Sequence, residues 1–344
     1  GGTVTGFPGW ALPLLRCPHC RGTLADVGGG PGAGAGPGAG AGDRPDAAAM
    51  GGQRTGDPGR AGVIGCPSGH RFDVARQGYL PLLGPRSRTD TGDTAAMVRA
   101  REEFLGGGWY GRIAAAVADA VAPAPRGPVV EVGAGTGYYL AAVTGGPGNS
   151  GSGEDAGARS SAGGSVTDAV PGRRAGLAVD SSRYALRRAA RLPGITAVLA
   201  DAWSALPVID GAAAAVLSVF APRSPAELAR ILRPGGRVVV VTPAPDHLAE
   251  VRRAVPLLAV DEGKSARVAE AFAGLAPPLR LAPCDVRELR YAVRLPRDAV
   301  GRLVGMGPTA RHLSADAVAE GVSRLPDPLQ VTVSVTVTSL SRAP

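Results

Sequence analysis

The chain has 344 residues, 44% of them hydrophobic and 19% charged, with a formal net charge of +8. That apolar share excludes wholesale disorder, and the length suggests about two domains. No apolar run approaches the ~18–20 residues of a membrane span, and the start of the chain lacks the regions of a secretory signal, so a cytosolic protein is expected. The basic balance favours polyanionic partners, above all nucleic acid, because Arg and Lys displace counterions from phosphate. Lys264 is the only lysine, and Ala, Gly and Arg dominate throughout, so part of that excess looks like the coding bias of a GC-rich genome.

The N-terminal region carries the knuckle Cys17-Pro18-His19-Cys20 and a second one, Cys66-Pro67-Ser68-Gly69-His70. Three thiolates and one imidazole make a complete tetrahedral set for structural zinc, through Cys17, Cys20, Cys66 and His70. A redox role for the C-x-x-C is the alternative, although no βαβ pattern surrounds it. The spacer between the knuckles is long for a zinc ribbon, but residues 28–62 are a Gly/Ala/Pro/Arg tract that reads as an inserted flexible loop. His19 reads as a bystander, and Cys284, without metal partners, as a buried or inert thiol. Residues 71–80 read as the strand that closes the zinc module, followed by the polar basic loop Arg86 to Asp93. Asp93 or Thr94 can cap the next helix, which carries Met97, Ala100, Phe104 and Leu105 at helical spacing, with Arg99 and Arg101 among them. That helix is either a packed connector or a phosphate-binding surface.

Pro128 then opens the run Val129-Val130-Glu131-Val132-Gly133-Ala134-Gly135-Thr136-Gly137-Tyr138-Tyr139. It reads as a buried strand, a glycine turn through which backbone can approach a ligand, and a helix. A dinucleotide fingerprint would place its third glycine one residue later. The E-x-G-x-G-x-G pattern resembles motif I of class I S-adenosylmethionine-dependent methyltransferases instead. The helix runs to about Val143 before a second low-complexity tract, residues 145–172. Gly176 to Asp180 is the next strand, and an acid at its end can accept hydrogen bonds from both ribose hydroxyls of a nucleoside. With the 145–172 tract set aside, the separation of Gly135 and Asp180 approaches the roughly twenty residues expected.

Arg183, Arg187, Arg188 and Arg191 then mark a helix with a solvated charged face. A third strand lies near Thr196 to Leu199, followed by Asp201 and Ala202, with Asp201 where methyltransferases place an acid or amide against the adenine amino group. Ala212 to Val219 is a buried strand ending at Phe220-Ala221-Pro222. A helix spans Pro225 to Leu232, and the L-x-P-G-G turn leads into strand Arg237 to Val241. Leu289 to Leu295 and Val331 to Leu340 complete the sheet as an antiparallel pair, the latter on its β-branched alternation.

Taken in order, C-P-x-C, C-P-x-G-H-x-F-D-x-A-x-x-G-Y-x-x-L-L, G-D-T-x-x-M-x-x-A-R-x-x-F-L and E-V-G-x-G-x-G-Y-Y resemble one family throughout. It is the large-subunit ribosomal RNA guanine-N1 methyltransferase family, RlmA, which includes actinobacterial tylosin-resistance enzymes. Phe220-Ala221-Pro222, the stretch from Thr242 to Leu248 and the stretch from Leu303 to Pro308 continue the resemblance. It implies an α/β fold: a class I Rossmann-like methyltransferase domain, its mostly parallel sheet closed by an antiparallel final strand, plus a small N-terminal zinc-binding domain. The implied division is a zinc-binding RNA-recognition domain over 1–90, a connecting helix over 91–125 and the methyltransferase domain over 126–344.

The resemblance further implies zinc and S-adenosylmethionine as cofactors, and methyl transfer to N1 of a guanine. The target would be a domain II hairpin of 23S rRNA at the macrolide-binding exit tunnel, with macrolide resistance as the role. The partners would be 23S rRNA and a second copy of the chain, with no DNA and no membrane. Cofactor binding would fall to Glu131, Gly133, Gly135, Gly137, Tyr138, Tyr139, Asp180, Asp201 and Ala202. Arg71, Arg76, Arg86, Arg88, Arg99 and Arg101 would face RNA. Phe220 and Pro222 would wall the guanine or simply line the pocket. Guanine N1 carries a proton that must leave, so a base is expected; Asp246 and His247 stand at the substrate rim, with His247 either that base, a substrate contact or a simple structural histidine. The competing readings are a class I methyltransferase acting on a small molecule or a protein, and a non-catalytic RNA-binding or ribosome-associated protein with a relic cofactor fold.

Overall fold

The structure, a computed structural model, describes residues 7–28, 62–88, 92–145, 173–222, 224–255, 264–307, 310 and 315–342. Apart from their margins, the tracts read as insertions at 28–62 and 145–172 lie outside the described residues.

A short 3₁₀ turn, Leu12–Leu14, precedes three brief strands: β1 (Ala25–Asp26), β2 (Val63–Gly65) and β3 (Arg71–Asp73). They pair antiparallel in the order β1-β2-β3. A turn then reverses the chain, with Gly78 at φ 88°, where a left-handed residue without Cβ is needed. The next strand, β4 (Tyr79–Pro81), does not close this small sheet as the sequence reading expected. It lies parallel to β7 (Ile195–Leu199), with Tyr79 opposite Ala197 and Leu80 opposite Val198. Tyr79 and Leu80 are buried there, whereas the small sheet offers a strand only two or three residues of partner.

Helix α1 (Ala95–Gly106) starts at Thr94, whose side chain accepts the Met97 N–H at 3.3 Å. Helix α2 (Gly111–Val121) buries Ile113, Ala114, Ala116, Val117 and Val121, an apolar stripe with helical period. There follow β5 (Val129–Val132), α3 (Tyr138–Thr144), β6 (Gly176–Asp180), α4 (Arg183–Ala189), β7, β8 (Ala213–Val219), α5 (Pro225–Ile231) and β9 (Leu232–Pro243). Every residue of β5 and β8 is buried, as in parallel strands covered on both faces. In β9 the turn residues 233–236 loop out: Leu232 pairs with Ala213, and pairing resumes at Arg237 with Ala215.

The chain ends with α6 (Ala249–Ala254), α7 (Lys264–Ala273), β10 (Leu281–Leu295), α8 (Arg297–Gly305), α9 (Ala315–Ser323) and β11 (Leu329–Arg342). The large sheet has eight strands in the order β10-β11-β9-β8-β5-β6-β7-β4. β11 is antiparallel to both its neighbours, while the strands from β9 to β4 run parallel. This is the α/β fold with a mostly parallel sheet that the resemblance implies. β10 begins eight residues before the strand expected at Leu289, because its first half carries no apolar signal: residues 282–288 are exposed at the sheet edge.

Each face of the sheet carries a core. One packs α1, α2, α3 and α8 against Val129, Leu217, Val241 and the valines of β11. The other joins Val130, Val179 and Val240 to Phe7, Leu15, Cys17, Ile64 and Phe72, so the cysteine-bearing segment is continuous with the sheet's own core. No helix among the described residues is long and apolar enough to cross a membrane.

Candidate active site and metal centre

The two knuckles meet. Cys17, Cys20, Cys66 and His70 place one donor atom each within 4.8 Å of one another. Cys66 Sγ lies 3.3 Å from His70 Nδ1, Cys17 Sγ 3.6 Å from the same nitrogen, and Cys20 Sγ 3.5 Å from Cys66 Sγ. A tetrahedral zinc with ordinary Zn–S and Zn–N bonds needs donor–donor edges of roughly 3.5–3.8 Å. The set fits that ion. A hydrogen bond from the Ser68 side chain, then one from the Gly22 backbone, hold the Cys20 thiol at about 6, toward the thiolate a metal requires. Gly22 leaves room for this, since a Cβ there would stand 3.3 Å from Cys20 Sγ. His19 stacks on His70 with ring centroids 4.8 Å apart and is no part of the donor set. Cys284 is an exposed free thiol that donates to the Ser339 carbonyl.

The second site opens where β5 gives way to α3. Gly133, Gly135 and Gly137 have φ of 76°, 54° and 82°. A Cβ on Gly133 would meet Ala221 Cβ at 2.4 Å, and one on Gly137 would meet Leu192 Cδ1 at 2.9 Å. The three glycines thus satisfy both the turn and a close approach to neighbouring elements. Above them lies a cleft with about 390 Å³ of empty space. Its lining includes Gly133, Gly135, Tyr138, Tyr139 and Phe220 from the expected set, together with Arg101, Leu105, Tyr110, Val219 and Met306.

Two acids shape the turn from below. Glu131 is 1% exposed, and its Oε2 accepts the Leu140 N–H at 3.0 Å. Burial, with a smaller contribution from Asp180, raises the Glu131 carboxyl to about 8, so it is protonated at neutral pH. Asp180 Oδ2 accepts the Gly135 N–H at 2.8 Å and Oδ1 accepts the Ser182 N–H at 2.7 Å. Burial raises its pKa as well, against those two hydrogen bonds. Each Asp180 oxygen keeps a lone pair for a ligand hydroxyl. Asp201 is buried, and its carboxylate accepts from the backbone N–H groups of Trp203 and Arg88 and from Ser204 Oγ. Its burial is more than offset by the Arg88 and Trp203 N–H groups, which leave it below the usual carboxylate value. The adjacent Ala202 is half-buried.

An aromatic wall closes the other side. Phe220, at the end of β8, has φ 51°, a left-handed conformation rare for a bulky side chain and a mark of a constrained site. Its ring lies 6.0 Å from Tyr110, 6.4 Å from Tyr139 and 5.8 Å from His247. Pro222, two residues on, is exposed.

The two residues expected to serve as a base are placed otherwise. His247 is 7% exposed, its Nδ1 accepts the Ser334 N–H at 3.1 Å, and its Nε2 faces the Tyr110 hydroxyl at 3.3 Å. Burial, reinforced by Arg252, lowers it to about 4, so the ring is neutral. With Nδ1 accepting, Nε2 carries the hydrogen, and no lone pair remains to take a substrate proton. His247 therefore backs the Tyr110–Phe220 wall. Asp246 is held below the usual carboxylate range by hydrogen bonds from Ser334 and from Arg290, whose Nε lies 2.7 Å away, which makes it a weak base.

Of the arginines expected to face RNA, Arg71, Arg76, Arg86, Arg88 and Arg99 are exposed. Arg101 is not among them: it points into the cleft. Tyr110 and Met306 escaped the sequence reading as lining residues; Met306 falls in the motif from Leu303 to Pro308, the one signal that could have found it.

No protein-family model matches the chain. The chain is similar to the 23S rRNA (guanine(748)-N(1))-methyltransferase of Streptomyces fradiae, at 42% identity over 94% of this chain and 95% of that protein. A Micromonospora griseorubida protein provisionally named 23S rRNA (guanine-N(1)-)-methyltransferase is 38% identical over 94% of this chain and 96% of its own length. Among solved structures, YcgJ of Bacillus subtilis aligns at 15% identity over 68% of this chain and 99% of that one, with a TM-score of 0.43. Identity of this order along nearly the full length of two such relatives settles the lineage: the chain belongs to the 23S rRNA (guanine-N1)-methyltransferase family.

Proposed function

We propose that this protein transfers a methyl group from S-adenosylmethionine to N1 of a guanine in the domain II hairpin of 23S rRNA, in the cytoplasm, with macrolide resistance as its role. The full-length similarity to the two named 23S rRNA methyltransferases carries this reading. S-adenosylmethionine, when bound, supplies an electrophilic methyl on a sulfonium. Gly133 and Gly135 present the cofactor with bare backbone at the cleft, Gly137 lets the turn pack against Leu192, and Glu131 braces the turn through Leu140. Asp180 takes the ribose hydroxyls, and Asp201 with Ala202 borders the adenine. Tyr138 and Tyr139 line the methionine side of the cleft, and Phe220 and Pro222 present the guanine face.

The S–CH₃ bond breaks as N1–CH₃ forms, and the N1 proton leaves. Neither His247 nor Asp246 is disposed to receive it, and no carboxylate lines the cleft among the described residues, so the proton passes to water at the open rim. N1 lies on the Watson–Crick edge, which must be free of its pairing partner, so a loop or flipped base is the substrate.

Zinc on Cys17, Cys20, Cys66 and His70 holds a module over residues 1–90 that grips the hairpin with Arg71, Arg76, Arg86 and Arg88, while Arg99 of the connecting helix touches phosphate. A second copy of the chain completes the RNA cleft. Primer extension across domain II of 23S rRNA, treated with protein and S-adenosylmethionine, tests the reading. A cofactor-dependent stop one nucleotide before a guanine is expected. No stop on naked or ribosomal RNA, with cofactor binding demonstrated, would move the assignment to a small-molecule or protein methyltransferase.

A further inference from the structure

We infer that Arg101 anchors the α-carboxylate of the cofactor's methionine moiety; this rests on the reading of the cleft as the S-adenosylmethionine site. Arg101 stands on α1, and its Cδ lies 3.5 Å from where a Cβ on Gly135 would be, so its stem covers the glycine turn. Its Nη2 donates to Asp93 Oδ2 at 2.7 Å and to the Met306 carbonyl at 2.9 Å. Both Nη2 hydrogens are thereby spent, and Asp93 with the end of α8 fixes the plane of the guanidinium. Asp93 is itself held, since its carbonyl accepts from Ser182 Oγ at 2.6 Å.

The Nε–H beside that engaged nitrogen is buried and has no acceptor. The Nε atoms of Arg187, Arg252 and Arg342 are likewise buried without an acceptor, but of these arginines only Arg101 lines the cleft, where an anion that arrives with the ligand can satisfy a costly unpaired donor on a cation.

Arg101 is also the one charged residue among those that line the cleft. S-adenosylmethionine has a single anionic group, its carboxylate, and the planar edge of a guanidinium matches a carboxylate in shape. An RNA phosphate is the poorer partner, because Asp93 and the Met306 carbonyl hold the guanidinium at the cleft lining beside the glycine turn, away from the exposed Arg71, Arg76, Arg86, Arg88 and Arg99. The ribose acid is one step away: Asp180 holds the N–H of Gly135, the residue Arg101 covers. The ribose acid and the proposed carboxylate anchor thus both bear on one glycine.

Calorimetry with two probes tests this: S-adenosylhomocysteine, which has the carboxylate, and 5′-methylthioadenosine, which lacks the amino acid end. Arg101→Met should weaken S-adenosylhomocysteine roughly ten- to hundredfold and leave methylthioadenosine within about twofold. Arg101→Lys should fall between, since an ammonium keeps the charge without the planar fork. Equal losses for both probes, or no loss for either, would overturn the assignment. If the unmodified protein binds neither probe, the cleft is no cofactor site and the reading beneath the inference fails first.

Discussion

In the three-stranded sheet the strands run two or three residues each and bury little of their own; in the eight-stranded sheet β5 and β8 are buried end to end. The first is drawn together by four side chains whose donor atoms converge on one point, the second by apolar area over two continuous cores. The contrast is one of where the stabilisation resides. A strand of three residues forms few ladder bonds and little apolar contact of its own, so the small sheet leans on the core it shares with the large one and on a donor set that fits a metal. The parallel sheet needs no such staple, and its strand ends are free to carry polar groups such as Asp180 and Asp201.

Cys66→Ser presses hardest on this contrast. Removing a direct ligand should lower zinc affinity by more than about a hundredfold, beyond what loss of a supporting contact costs, and abolish rRNA methylation. S-adenosylhomocysteine binding should persist. Metal analysis and calorimetry on the same sample check both halves. Loss of cofactor binding together with zinc would show that the shared core makes the two sheets one cooperative unit.

Asp180→Ala acts wholly within the large sheet. It should weaken cofactor binding by roughly 1.5–3 kcal/mol, the scale of hydrogen bonds to a charged group, with zinc content unchanged. Undiminished affinity would remove Asp180 from the site.

Phe220→Gly separates strain from function. The left-handed backbone at φ 51° is relieved, offsetting part of the lost ring burial, so the melting temperature should change little. Guanine stacking should weaken by about 1–3 kcal/mol, read as a raised KM for RNA. A large drop in melting temperature with unchanged KM would make the ring a packing element only.

The smallest effect at neutral pH concerns two buried groups. His247, held at about 4 against an ordinary 6.5, refuses a proton that the unfolded chain binds, so stability falls as pH drops from 6.5 toward 4. Glu131, raised to about 8 from 4.5, keeps a proton the unfolded chain has released, so stability falls as pH climbs from 4.5 to 8. His247→Gln should flatten the acid limb and Glu131→Gln the alkaline one, as read by denaturant midpoints across pH. Unaltered limbs would mean that other groups set the profile.

Much of this architecture was legible before any coordinates. β5, β6 and β8 announce themselves as apolar runs because both their faces are covered, and the cysteine cluster follows from two short spacings that bring four donors together. β4 and the first half of β10 were illegible for opposite reasons. Tyr79 and Leu80 look like any strand end, and only the vacant edge of β7 decides which sheet takes them. Residues 282–288 expose both faces and so carry no period at all. Within the cleft, the glycine turn, to which Asp180 beneath it is tied through the Gly135 N–H, was readable from the residues alone. Arg101 was not, because nothing in a helical sequence tells an inward arginine from an outward one. The choice for His247 between a base and a structural histidine stayed open for a related reason: a lone histidine gives no hint that the Ser334 N–H and the Tyr110 hydroxyl will occupy both its nitrogens.

The pairing of β4 with β7 carries a mechanical consequence. The segment that leaves the metal-held knuckles is spliced into the rigid sheet as its edge strand, and the loop just beyond it is tied by the Arg88 N–H to Asp201. The knuckles therefore sit on a fixed arm tied to the sheet at β7 and at Asp201. An arm of constant reach works as a ruler. Under the proposed function, the choice between adjacent guanines becomes a matter of distance along the hairpin from the point of grip, and the length of that arm selects the nucleotide.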